Sequence, residues 1–178
     1  MRRRRLQFAA VVAVLGMLGV VTAAVAGGGS RDVREHLTGY EEVPVVSSKG
    51  SGEFRAEVRD NKIKFRISYR DLEGTVTQSH LHFGQESVNG GISAFFCSNL
   101  TDPAPPPGTA PCPGPDSGTV EGEIEPADVT GLAGQGIAPG EYTELLRAIR
   151  AGVTYANVHS TMFPGGEIRA QIDRGHDR

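Results

Sequence analysis

The stretch Gly52–Leu72, GEFRAEVRDNKIKFRISYRDL, alternates apolar and polar side chains almost without interruption. Phe54, Ala56 and Val58 fall on one side, with Glu53, Arg55 and Glu57 on the other. After Asp60-Asn61, the residues Ile63, Phe65, Ile67 and Tyr69 oppose Lys62, Lys64, Arg66 and Arg70. A period of two is the spacing of a strand with one buried and one wet face. Asp60-Asn61 is a two-residue turn signal, so the stretch predicts a β-hairpin.

The same alternation recurs along the chain. DVREHLTG (32–39), TQSHLHFG (77–84), GISAFFCS (91–98), GTVEGEIEP (118–126), TYANVHS (154–160) and GEIRAQI (166–172) are separated by Gly, Pro, Asn or Asp. With the hairpin they make about eight short strands, which predicts a mostly β fold, an antiparallel sandwich or barrel. One segment differs. In APGEYTELLRAIRAG (138–152), Tyr142, Leu145, Leu146 and Ile149 recur at helical spacing, with Glu141 and Glu144 early and Arg147 and Arg150 late. Those charges follow the helix dipole, which predicts an amphipathic helix over about 141–150. At 178 residues and 38% hydrophobic content the chain has room for one domain with a real core.

The N-terminus, MRRRRLQFAAVVAVLGMLGVVTAAVAGGGS, sets four arginines before an apolar run that closes on Ala24-Val25-Ala26. That is the pattern of a cleavable export signal over 1–26. An uncleaved anchor is the alternative, because about twenty apolar residues can span a bilayer. Adjacent arginines raise a twin-arginine route, but the residues expected around such a pair are not convincing. In either case the remainder lies outside the cytoplasm: a linker over 27–33, a domain over 34–173 and a tail over 174–178. Removing residues 1–26 takes away four arginines and no acids, leaving 14 Lys plus Arg against 21 Asp plus Glu and a net charge of −7. An acidic domain without a basic, aromatic-laced stripe is not expected to bind nucleic acid.

Cys97 and Cys112 both fall in the exported part, where thiols tend to be oxidised. They read as a disulfide closing a proline-rich loop, worth about 3 kcal/mol by loop-closure entropy. A metal site or reactive thiol is the competing reading, and neither cysteine has a close His or Cys neighbour.

His80 and His82 stand two apart on a strand and therefore share a face, while Leu81 and Phe83 point the other way into the core. Their Cα atoms are about 7 Å apart. In TYANVHS, Ala156 and Val158 read as core, and Tyr155, Asn157 and His159 share the opposite face. If the two strands are neighbours, His80, His82 and His159 meet as three neutral imidazoles, the ligand set of an open zinc or a copper site. Glu86, Glu167 and Asp128 are the carboxylates to test as a fourth ligand or an orienting partner. The plainer alternative is a surface or half-buried pair that hydrogen-bonds loop backbone. His36 and His176, near the domain ends, read as surface residues.

Other chemistry finds little support. There is no G-x-S-x-G elbow, no H-E-x-x-H helix and no glycine loop followed by Lys. Ser79 and Ser160 adjoin histidines in sequence, but neighbouring strand residues face opposite sides, the wrong geometry for a nucleophile and its base. In FPGGEIRAQI, Gly165-Gly166 reads as a hairpin turn, and Glu167 and Arg169 share a face on which they could pair across strands in a structural role.

SHLHFGQESVNGGISAFFCSN, GTVEGEIEPADV and LLRAIRAGVTYANVHSTMFPGGEIRAQI, in that order, resemble the CHRD domain, first described in chordin and found singly in exported bacterial proteins. The resemblance covers about residues 34–172. Its most specific elements are HLHFG, YANVHS and PGGEIR, and the cysteine pair fits the bacterial form. One departure is Ala170, where the family pattern has glycine. The resemblance implies an all-β domain without established enzymatic activity, regarded as an extracellular structural or interaction module. Copper/zinc superoxide dismutase also combines an H-x-H strand with a later His on a β-barrel. It needs more histidines and an aspartate than this chain supplies around the site, so dismutation is not expected.

The leading expectation is thus an exported, non-catalytic binding or structural module with an unidentified extracellular or cell-surface partner, touching membrane only through an uncleaved N-terminal segment. The second is a copper- or zinc-binding protein using His80, His82 and His159. A metalloenzyme comes third, because no general base is evident.

Overall fold

The structure is a computed structural model that describes residues 30–173. The expected export signal 1–26, residues 27–29 of the expected linker and the expected tail 174–178 with His176 lie outside the described residues. Every alternating segment forms a strand: β1 (Arg31–Thr38), β2 (Ser51–Val58), β3 (Ile63–Arg70), β4 (Val76–Phe83), β5 (Gly91–Ser98), β6 (Gly118–Ile124), β7 (Thr154–Ser160) and β8 (Ile168–Ile172). β1 starts inside the expected linker. Helix α1 spans Tyr142–Arg150, and among the described residues no helix is long and apolar enough to cross a membrane.

The strands form one sheet in the order β5-β4-β7-β8-β1-β2-β3-β6, each neighbour antiparallel. The predicted hairpin is β2–β3, paired from Ser51↔Arg70 to Val58↔Ile63. The edge strands β5 and β6 approach each other, so the sheet is a nearly closed barrel. Phe96 of β5 packs against Phe54 of β2 and Phe65 of β3, with ring centroids 5.2 and 4.7 Å apart. Inside lie Leu37, Ile67, Leu81, Val158 and Ile168, each at most 1% exposed. Burying one such side chain contributes about 1.5–3 kcal/mol. Outside, β1, β2, β3 and β6 carry exposed ion pairs such as Arg34–Glu53 and Lys62–Glu123, both at 2.8 Å, and pairs of this kind add little stability.

Helix α1 buries Tyr142, Leu145, Leu146, Ala148 and Ile149. It docks on the β2–β3 turn, where Tyr142 Oη donates to the Arg59 carbonyl (2.6 Å) and Arg150 meets Asp60 at 2.9 Å. Gly152 follows the helix at φ +72°, the left-handed position that favours glycine after a C-terminus.

Cys97 and Cys112 form the expected disulfide, Cα atoms 5.0 Å apart. Asn99 fastens the same loop: its Nδ2 donates to the carbonyls of Val76 (3.2 Å) and Cys112 (3.0 Å), and its Oδ1 accepts from the Cys112 amide (2.9 Å).

Two local expectations are corrected. The β7–β8 turn is centred one residue earlier, on Pro164-Gly165, because the Gly166 amide donates to the Phe163 carbonyl (3.1 Å); proline's fixed φ suits the first central position of such a turn. Glu167 and Arg169 do not pair with each other. Glu167 takes hydrogen bonds from the Ser48 hydroxyl and the Glu73 amide, both 2.7 Å, whereas Arg169 donates to the carbonyl of Gln85 and the side chain of Gln171, both 3.2 Å.

Candidate metal centre

The strand order makes β4 and β7 neighbours, which brings the three histidines together. His80 sits opposite Asn157 and Asn157 opposite Arg169; His82 sits opposite Tyr155, and Gln78 opposite His159. These residues lie on the face away from the barrel interior, since the alternating Leu81, Ala156 and Ala170 form the parallel inner row. Ala170 packs there at 2% exposure, occupying the position where glycine was expected.

The shared face is as predicted, but it is not wet. His80 is 0% exposed, and His82 and His159 are each 6% exposed. Three segments cover them: the β1–β2 connection around Glu42, the β4–β5 loop 84–90 and the β7–β8 turn. Asn89 of one cover donates to the Val43 carbonyl of another (2.7 Å), while the Gln171 side chain donates to the Gly84 carbonyl (3.1 Å). Phe95, edge-on to His80 at 4.5 Å, closes the side toward β5.

The covering segments also orient the rings. His82 Nδ1–H donates to the Gly90 carbonyl (3.1 Å), and His159 Nδ1–H donates to the Pro164 carbonyl (2.9 Å). In a neutral imidazole this leaves each Nε2 with a bare lone pair, the state in which histidine ligates metal. His80 Nδ1 lies 3.2 Å from His159 Nε2, so His80 donates there and its own Nε2 is bare. His80 Nε2 and His82 Nε2 are both buried without a hydrogen-bond partner. One ligand atom from each ring lies within 4.8 Å of the other two. Nitrogens bound tetrahedrally at zinc lengths are about 3.3 Å apart. Nitrogens no more than 4.8 Å apart need to close by at most about 1.5 Å to reach that spacing.

Burial keeps the rings neutral. Desolvation, followed by the neighbouring His159 and His82, pushes His80 down to about 2. Desolvation brings His82 down to about 4 against the raising effect of the Gly90 carbonyl, and it lowers His159 as well. No proton must be displaced from a charged ring before a cation binds.

Two residues of the site escaped the sequence reading. Asn157 lies on the face that alternation assigns it, and no motif marks it for a role. It lies beside Glu42, whose carboxyl it favours in the charged form, and its Oδ1 stands 3.1 Å from His159 Nε2. Glu42 is 5% exposed with Oε1 unpartnered, and burial pushes its carboxyl up to about 7 despite the nearby Arg169. It belongs to a loop, with no periodic signal to mark it. Gly166, at φ +128°, is required beside it, because a Cβ there would run into the Glu42 carboxylate. Tyr155 stacks on His82 (4.6 Å, 2° between planes), and the Arg169 guanidinium stands 3.5 Å from the Tyr155 ring centre.

The carboxylates chosen from sequence lie elsewhere. Asp128 accepts from the Glu125 amide (2.8 Å) in a short capping turn. Glu86 is exposed on loop 84–90. Glu167 is fully buried but faces Ser48 and Glu73. His36 is an exposed residue of β1, as expected.

Fold and site together define a mostly β, barrel-like domain with a histidine cluster buried on its outer wall. The family model described as the CHRD domain matches residues 33–172, and the chain belongs to that family. No curated protein and no solved structure matches the chain.

Proposed function

We propose that this CHRD-domain protein is an exported, non-catalytic binding module that holds one transition-metal ion, copper or zinc, through His80, His82 and His159. The observation that carries the reading is a shortage of protons in a buried cluster. The lone pairs of His80 Nε2 and His82 Nε2 lack donors, and Asn157 Oδ1 stands 3.1 Å from His159 Nε2, whose own lone pair takes the His80 proton. Each buried group left unsatisfied costs about 1–3 kcal/mol, and a single cation serves several at once. Three imidazoles suit zinc or copper.

Binding is assigned over catalysis because the donor group among the described residues is the three histidines, with no carboxylate or thiol in it, and Glu42 meets the cluster through Asn157. Export is supported by the four arginines and apolar run of residues 1–26 and by the disulfide. The domain's surface partner, if it has one, meets an acidic protein.

A second reading has its own support. The rings donate to the Gly90 and Pro164 carbonyls, so the cluster also fastens the loops that cover it, and a purely structural role follows if no metal binds. Metal analysis of protein purified without a His tag or added metal, beside His82→Ala, separates the two. Close to one equivalent that disappears in the variant supports the site. Less than about 0.1 equivalent, with no tight uptake on titration, leaves only the structural role. Mass spectrometry of the mature N-terminus tests export: a chain beginning after Ala26 supports it, and an intact residue 1 in the membrane fraction makes the segment an anchor.

A further inference from the structure

Building on the metal reading above, we infer that the ion the site holds is monovalent copper, Cu(I), in preference to a dication. The ground is the charge of the surroundings. The three ring donors are neutral, and no Asp, Glu or Cys joins their group among the described residues. The other electron-rich atom beside them, Asn157 Oδ1, is a neutral amide oxygen. The neighbouring carboxylate, Glu42, is reached through the Asn157 amide, and its charge is opposed by that of Arg169.

Arg169 itself is a fixed positive charge. It is 1% exposed, and its guanidinium lies 3.5 Å from the centre of the Tyr155 ring that stacks on His82. The cost of burying an ion grows with the square of its charge, so a dication costs about four times as much to desolvate as a monocation. A metal site of higher charge normally recovers that cost from anionic ligands; here none joins the rings, Arg169 acts against positive charge at His82, and the carboxylates Glu41, Glu42 and Glu86 act on Arg169. Cu(I) carries one charge, has a filled d shell and is satisfied by two or three imidazoles. The trio of rings, enclosed by Phe95 and Tyr155, meets those needs.

The test is an anaerobic competition titration of the purified full-length protein. Cu(I) is offered against a chromogenic Cu(I) chelator, and Zn(II) and Cu(II) are offered separately against chelators of their own, with His82→Ala throughout. The expected result is one equivalent of Cu(I), bound about 100-fold or more tightly than either dication and dependent on His82. If Zn(II) or Cu(II) binds as tightly as Cu(I), with the same dependence on His82, the site stands and the preference for a monocation is overturned. If none of the three binds, the metal reading itself falls. A second variant, Asn157→Asp, places a carboxylate among the donors. It is expected to shift the ratio toward Zn(II) by about tenfold or more, and an unchanged ratio also overturns the charge argument.

Discussion

His80 Nδ1 lies 3.2 Å from His159 Nε2, a contact between rings 79 residues apart in the chain. It joins β4 to β7 on the covered outer wall and uses the one ring proton directed into the cluster. Removing His159 leaves that proton and the Pro164 carbonyl without their partner. In the metal-free protein His159→Ala is expected to cost about 2–4 kcal/mol, measured by urea denaturation. If the cluster binds metal as proposed, adding zinc or copper to the stripped wild type is expected to raise the melting temperature and to leave the variant unmoved. An equal rise in both places the metal elsewhere.

Stability of the metal-free domain depends on pH from two directions. The histidines are depressed in the folded state, so their contribution is present above the ordinary value of 6.5 and fades as pH falls through the folded value of His82, about 4. Glu42 is raised, so its contribution is full below 4.5 and is lost as pH rises through about 7. The expected profile peaks between these limbs. Glu42→Gln removes the upper limb and gains about 1–3 kcal/mol over wild type at pH 8. Chemical denaturation across pH 4–9 checks this, and a wild-type curve that runs parallel to that of Glu42→Gln between pH 5 and 7.5 would contradict the burial of an ionisable Glu42.

The two glycines of the β7–β8 turn are predicted to behave differently. Gly165 has open space where a Cβ would be placed, so Gly165→Ala is expected to be neutral or slightly stabilising. Gly166, at φ +128°, faces the Glu42 carboxylate, and Gly166→Ala is expected to lose about 1–3 kcal/mol or more. Melting temperatures of the pair test it, with equal effects counting against the geometry.

Replacing both cysteines with serine opens the loop between Cys97 and Cys112 and is expected to cost about 3 kcal/mol. Asn99 still ties this loop to β4 and to Cys112, so the loss is a lower melting point in a domain that still folds. Thermal unfolding with and without reductant measures it.

The eight strands and the helix were legible because their signals are local. Alternation at Phe54, Ala56 and Val58 or at Ile63, Phe65 and Ile67 reports one buried face wherever the strand ends up. Sequence alone centres the β7–β8 turn one residue late because Gly165-Gly166 is a strong turn signal on its own, and only the Gly166 amide bonded to the Phe163 carbonyl reveals the frame.

The sequence by itself determined that the chain is a mostly β domain, that His80 and His82 share one face of β4, and that His159 occupies the matching face of β7. Only the tertiary structure decided that β4 and β7 are neighbours and that this face is buried. The choice between a wet pair and a dry, proton-poor cluster depends on loops that arrive from far along the chain. Glu42 reaches Asn157 across more than a hundred residues, and its loop carries no periodicity to say where it will land. Burial there is a property of the assembled barrel, and burial is what turns three histidines into a site.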